Sequence, residues 1–112
     1  MAKTATRPYS RYSGEAIRLL AGQIRAARLE RGVTAQDLSE RAGISRGLLR
    51  RIENGDPGCG IGVVFEVATL LGVTLFRPSH SDLRLMNKML DEKLTLLPSR
   101  IRPRAAALDD DF

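Results

Sequence analysis

Apolar residues recur at helical spacing along five stretches of the chain, and glycine or proline stands between most of them. In the first, Ile17, Leu20, Ile24, Ala27 and, nearly, Leu29 share a side, while Arg18, Arg25 and Arg28 lie off it. This spacing predicts a helix from Glu15 to about Arg31, ended by Gly32. In "VTAQDLSERAG", Thr34 is an N-cap, Asp37 completes a box-like pair with it, and Leu38 and Ala42 face inward. Gly43 stops this second helix. "ISRGLLRRIENG" starts a third at the cap Ser45 and ends at Asn54 and Gly55. After the loop "DPGCGIG", Val64, Val67, Ala68 and Leu71 resume the helical period until Gly72. "VTLFR" (73–77) favours a short strand. "SDLRLMNKMLDEKLTLL" predicts a last amphipathic helix, capped by Ser81, with Leu83, Met86, Leu90, Leu94 and Leu97 on one face. Residues 1–13 and 98–112 read as flexible ends. The expected division is a basic arm (1–13), a helical domain (14–76), an added helix (77–97) and a tail (98–112).

The third helix separates its residue types most sharply. At about 100° per residue, Leu48, Leu49 and Ile52 occupy one arc. Arg46, Gly47, Arg50, Arg51 and Asn54 fill another, and Glu53 is the single acid between them. A solvated face usually mixes signs. Arginine also reads guanine through a two-pronged hydrogen bond in the major groove. Gly47 inside a helix costs ~1 kcal/mol against alanine. Either something approaches the backbone closely there, or glycine relieves crowding in the first turn.

Charge strengthens the nucleic-acid reading. The net charge is +5, and all of the excess lies in residues 1–60, with eleven Lys/Arg against six Asp/Glu. Residues 61–112 hold seven of each. A one-sided basic excess points to a polyanion, nucleic acid before membrane surface. Aromatics make up 4% of the chain, which disfavours a single-stranded RNA binder that stacks bases.

Other chemistry finds little support. Cys59 is the single cysteine and His80 the single histidine, so no zinc-ligand spacing exists. There is no phosphate-binding lysine loop, no nucleophile elbow and no pair of catalytic acids. We expect a non-enzyme with no metal and no cofactor. Cys59 is either inert or a redox sensor. "MAKTATRPYS" lacks the apolar run of a signal peptide, and the expected location is the cytoplasm, on the nucleoid through DNA.

Two capped helices joined by Gly43, Ile44 and Ser45 and backed by a longer one form a helix-turn-helix pattern. "TAQDLSERAGISRGLLRRIENG" resembles the Xre/Cro family of DNA-binding domains. The matching positions are Thr34, Leu38, Ala42-Gly43-Ile44-Ser45, Leu49 and Ile52-Glu53-Asn54-Gly55. The resemblance implies an all-α, lambda-repressor-like bundle of about five helices with a short dimerising strand and flexible tails. It implies that residues 45–54 enter the major groove, with Arg46, Gly47, Leu48 and Arg50 at base edges. Leu48 is alternatively core. Thr34, Gln36, Ser45, Arg51 and Asn54 are the implied phosphate contacts. The family usually carries glutamine directly after the capping threonine; here Ala35 stands there and Gln36 follows one position later. The arm residues Lys3, Arg7 and Arg11, with Tyr9 and Tyr12, either track DNA or form a disordered leader.

"ENGDPGCGIGVVFEVATLLGVTLF" (53–76) is similar to HipB-type antitoxins within that family. That likeness implies a homodimer paired through Val73, Thr74, Leu75 and Phe76, bound to a palindromic operator and repressing its own operon. It also implies a HipA-like Ser/Thr kinase toxin as partner. The acidic-aromatic tip Asp109, Asp110, Asp111 and Phe112 either docks into a basic cleft on such a partner or stays solvated. The alternatives are a stand-alone Xre-type regulator and a protein-interaction adaptor with no toxin.

Overall fold

The computed structural model describes residues 9–76 and 80–101. They contain five helices: α1 (Arg11–Glu30), α2 (Ala35–Ala42), α3 (Arg46–Glu53), α4 (Ile61–Leu70) and α5 (His80–Leu96). No strand occurs among the described residues. The chain divides into two compact units, one running to Val73 and the other starting at Thr74.

In the first unit the caps lie where the side chains can close them locally. Thr34 Oγ1 accepts the Asp37 amide at 3.0 Å, and Ser45 Oγ accepts the Leu48 amide at 3.0 Å. Each bond satisfies one of the amides that a helix start leaves without an internal partner. Gly43 closes α2 in the left-handed conformation, φ 69°, which a Cβ would disfavour. The Ile44 amide then reaches back to the Ser39 carbonyl at 2.9 Å, so the chain turns sharply into α3.

The core is aliphatic, as a chain without tryptophan requires. Ile24 of α1, Leu38 of α2, Leu49 and Ile52 of α3, and Val67, Ala68 and Leu71 at α4 are buried. Their burial is the main source of stability, at about 1.5–3 kcal/mol for each large side chain. Ser39 is the single buried polar residue among those described, and its hydroxyl donates to the Gln36 carbonyl at 2.9 Å.

Four expectations shift. Helix α1 starts four residues earlier than the apolar period indicates, because Ser10 caps it by accepting the Ser13 amide at 3.2 Å. Arg11 therefore lies in the first turn of α1 and not in a flexible arm; Lys3 and Arg7 fall outside the described residues. Leu29 is 57% exposed, and Ala21 takes the core position that the helical period assigns to that face. The strand expected over Val73, Thr74, Leu75 and Phe76 does not form in the single chain. The Val73 amide instead caps α4 by donating to the Ala68 carbonyl at 2.9 Å, after Gly72 at φ 74°. Phe76 itself has φ 63°, a left-handed conformation incompatible with an extended strand. Finally, α5 begins at His80, so Ser81 lies inside the helix and not at its cap.

The second unit is described by α5. Its apolar side chains Leu85, Met86, Met89, Leu90 and Leu94 are all exposed. Residues 109–112, the acidic-aromatic tip, fall outside the described residues. No described helix is long and apolar enough to cross a membrane.

Candidate nucleic-acid interface

Helix α3 turns its two faces as its sequence requires. Leu49 and Ile52 are buried, whereas Arg46, Gly47, Arg50, Arg51 and Asn54 are exposed. A groove on this side is lined by Arg25 and Arg28 of α1, Ala35 of α2, and Arg46, Gly47, Leu49, Arg50, Glu53 and Asn54 along α3. Leu48 is half-buried and does not line it. It sits on the flank between the buried seam and Arg51, which favours its core role over a base contact.

Three of the groove's four arginines, Arg25, Arg46 and Arg50, come together from two helices. Arg46 and Arg50 are one turn apart on α3, and Arg25 joins them from α1. Neither Arg25 nor Arg50 has an ion pair among the described residues. Arg46 is steadied from α2: its Nη1 donates to Gln36 Oε1 at 3.4 Å, and Gln36 Nε2 donates to Glu40 Oε2 at 2.6 Å. Gln36, one position later than the family pattern has it, thus still braces the start of α3.

Glu53 also lines the groove, but its charge is matched within the domain. Its carboxylate takes a fork from Arg28, Nε to Oε2 at 2.7 Å and Nη2 to Oε1 at 3.0 Å. Arg28 Nη1 also donates to the Val33 carbonyl at 3.1 Å. The side chains are only 13% and 8% exposed. The hydrogen bond to Glu53 raises the Arg28 pKa above its ordinary value, against the opposing effect of burial. Arg28 is therefore a structural strut between α1 and α3, and the groove's positive charge is left to Arg25, Arg46 and Arg50. The sequence hint was the lone acid in an otherwise basic helix, but its partner lies 25 residues away.

Arg51 points elsewhere. Its Nε donates to Asp56 Oδ2 at 2.7 Å, and Asp56 Oδ1 accepts the Gly58 amide at 2.8 Å. Arg51, then the Gly58 amide, holds the Asp56 carboxyl below its usual range. A lowered carboxyl pKa means that this loop tie persists above the ordinary aspartate range and is lost only as pH falls through the depressed value. Carboxyl NMR should show Asp56 titrating at lower pH than in an Arg51→Ala variant; equal midpoints would contradict the tie. Thr34 and Ser45 cap their helices with one lone pair, and each keeps its hydroxyl proton for donation to a phosphate. Asn54 ends α3 and lines the groove.

Gly47 is exposed on the same face. A Cβ built there meets nothing closer than Ser45 Oγ at 3.9 Å. The neighbouring side chains therefore leave room for a Cβ at this position. Gly47→Ala should stabilise the isolated domain by up to about 1 kcal/mol, since alanine is the better helix former. The same change should weaken DNA binding. Thermal unfolding and anisotropy titration on one preparation check both, and unchanged affinity would remove Gly47 from the interface.

Cys59 is half-buried, and burial is the main cause that raises its thiol pKa. That disfavours the reactive thiolate and fits an inert cysteine. The described residues hold no group of side chains suited to a metal ion.

Comparison with known proteins agrees with this geometry. Residues 24–77 match the model of the helix-turn-helix family, from the middle of α1 past the end of α4. No curated protein and no solved structure matches the chain. The match over residues 24–77 supports a helix-turn-helix domain like those of Xre-type DNA-binding regulators.

Proposed function

We propose that the protein is a sequence-specific transcriptional repressor that binds a palindromic operator as a dimer. The observation that carries this reading is the groove that gathers Arg25, Arg46 and Arg50 with no acid free to neutralise them. Arg46, Gly47 and Arg50 contact base edges. Arg25, Thr34, Gln36, Ser45 and Asn54 hold the flanking phosphates, and Arg51 joins them only by giving up Asp56. The test is an anisotropy titration of the full chain on DNA from its own promoter across a salt series. Affinity should fall steeply with salt, because each neutralised phosphate releases counterions. Flat, salt-independent binding would contradict the reading.

The operon context is a finer proposal. The likeness of residues 53–76 to HipB-type antitoxins supports an antitoxin that represses its own operon and neutralises a HipA-like kinase. Co-expression with any kinase encoded beside it tests this. Failure to form a complex leaves a stand-alone Xre-type regulator. If a complex forms, deletion of residues 98–112 decides whether the tip Asp109–Phe112 contributes.

A further inference from the structure

Three arginines in or beside the groove are held in different ways. Arg28 is locked in a fork with the Glu53 carboxylate. Arg51 is gripped by the Asp56 carboxylate at 2.7 Å. Arg46 meets no carboxylate directly. A neutral amide stands between it and Glu40: Arg46 Nη1 donates to Gln36 Oε1 at 3.4 Å, and Gln36 Nε2 donates to Glu40 Oε2 at 2.6 Å. The first two guanidiniums are tied to acids. The third is steadied by a weaker, neutral acceptor and keeps its charge for a ligand.

The direction of this chain follows from Glu40. An ionised carboxylate only accepts hydrogen bonds, so the amide end that faces it must be the NH2. Gln36 and Glu40 stand one turn apart on α2, the spacing at which helix side chains meet. With Nε2 drawn to Glu40, the amide oxygen is the end left for Arg46, whose guanidinium can only donate. Without Glu40, nothing among the described residues fixes which end of the amide faces Arg46. Turned over, the amide would set a donor against a donor. The second hydrogen on Nε2 remains for a phosphate.

Arg46 is the first residue of α3, and its side chain is exposed. Ordering so long a side chain opposes binding unless the protein has ordered it beforehand. The bond at Nη1 restrains it and leaves Nε and Nη2 without a partner among the described residues. Those two nitrogens form one edge of the guanidinium, the edge with which Arg28 grips Glu53. Such a two-pronged edge matches the paired acceptors of guanine in the major groove.

We infer that Glu40 is a positioning residue for base recognition: by fixing the direction of the Gln36 amide, it restrains Arg46 and presents the Nε–Nη2 edge to a guanine. This role rests on the proposed DNA-binding function. It gives sequence preference to an acid whose charge alone opposes DNA.

Glu40→Ala separates the two effects. Anisotropy titrations of the full chain on DNA from its own promoter and on scrambled DNA give the ratio of the two affinities. Binding to scrambled DNA should stay equal or tighten, because a negative charge near the phosphates is gone. Operator binding should fall about threefold to tenfold, the equivalent of ordering one long side chain. Glu40→Gln keeps the shape but can either donate or accept, so its ratio should lie between those of the wild type and Glu40→Ala. In an Arg46→Ala background, Glu40→Ala should leave the ratio unchanged, since Glu40 acts through Arg46. Melting temperatures of both Glu40 variants should stay close to that of the wild type, because Glu40 is exposed. An unchanged ratio in Glu40→Ala would overturn the inference, whether both affinities rise, as for a solvated acid, or both fall, as for a folding defect. So would an equal loss of ratio in the Arg46→Ala background. A wild type with no preference for its promoter DNA would overturn the DNA-binding function and this role with it. A wild type that has the preference, beside a Glu40→Ala variant that keeps it, overturns the role alone.

Discussion

Glu53→Ala is expected to destabilise the helix-turn-helix domain by about 3 kcal/mol, the lower end of what breaking a buried ion pair costs. The loss comes less from the missing attraction than from what remains. Arg28 is 13% exposed and donates to Glu53 twice and to the Val33 carbonyl once. Without Glu53, two of those donors face a site with little water. A small domain holds about 5–15 kcal/mol in total. At about 4–8 °C per kcal/mol, the melting temperature should fall by more than about 10 °C. Arg28→Ala should cost a similar amount. A double change to apolar residues of similar size, Arg28→Met with Glu53→Leu, should cost less than either single change, because no charge is left stranded. Urea and thermal unfolding of the four proteins test this. A Glu53→Ala loss under about 1 kcal/mol would mean that the pair is solvated and holds nothing.

The strut has a functional consequence. It ties the end of α1 to the end of α3, and Arg25 stands one turn before Arg28 on α1. The spacing between Arg25 and the α3 arginines therefore depends on Glu53, whose carboxylate is taken by Arg28. A Glu53 variant that still folds should bind more weakly because the groove loses its fixed width.

What the sequence makes legible here is what closes over three or four residues. Thr34, Gly43 and Ser45 act on amides and carbonyls one turn away, so a single chain shows both partners of each bond. The buried seam of Leu49 and Ile52 follows from periodicity in the same way. The Arg28–Glu53 strut could not be read, because residues 25 positions apart meet only after α1 and α3 pack. Arg25 looked like any solvated arginine until packing placed it in the groove. The segment 73–76 shows a competition that local propensity misjudges. Valine, threonine and phenylalanine favour strands, yet the Val73 amide is worth more as the closing bond of α4, directly after Gly72. The early start of α1 has the same cause: Ser10 offers a cap that the apolar pattern, which begins at Ile17, does not register.

Arg46 and Arg50 should carry most of the sequence preference, and their loss should be the largest effect on binding. A good base contact by arginine discriminates by about 1–3 kcal/mol. Arg46→Ala and Arg50→Ala should each weaken operator binding by about tenfold to a hundredfold. The double variant should approach the affinity for unrelated DNA. Arg25→Ala should behave differently. It lines the groove from α1, and the proposed function assigns it to phosphate and not to a base edge. Its loss should weaken operator and unrelated DNA about equally and reduce the salt slope by about one. Arg51→Ala should change little, since Asp56 already holds that guanidinium at 2.7 Å. Gln36→Ala should fall between these, because it frees Arg46 without removing it. Anisotropy titrations on operator and scrambled DNA at three salt concentrations separate the classes. If the double variant keeps the wild-type ratio between operator and scrambled DNA, α3 is not the reading helix. Equal effects of Arg25 and Arg51 would show that the ion pair with Asp56 does not keep Arg51 from the DNA.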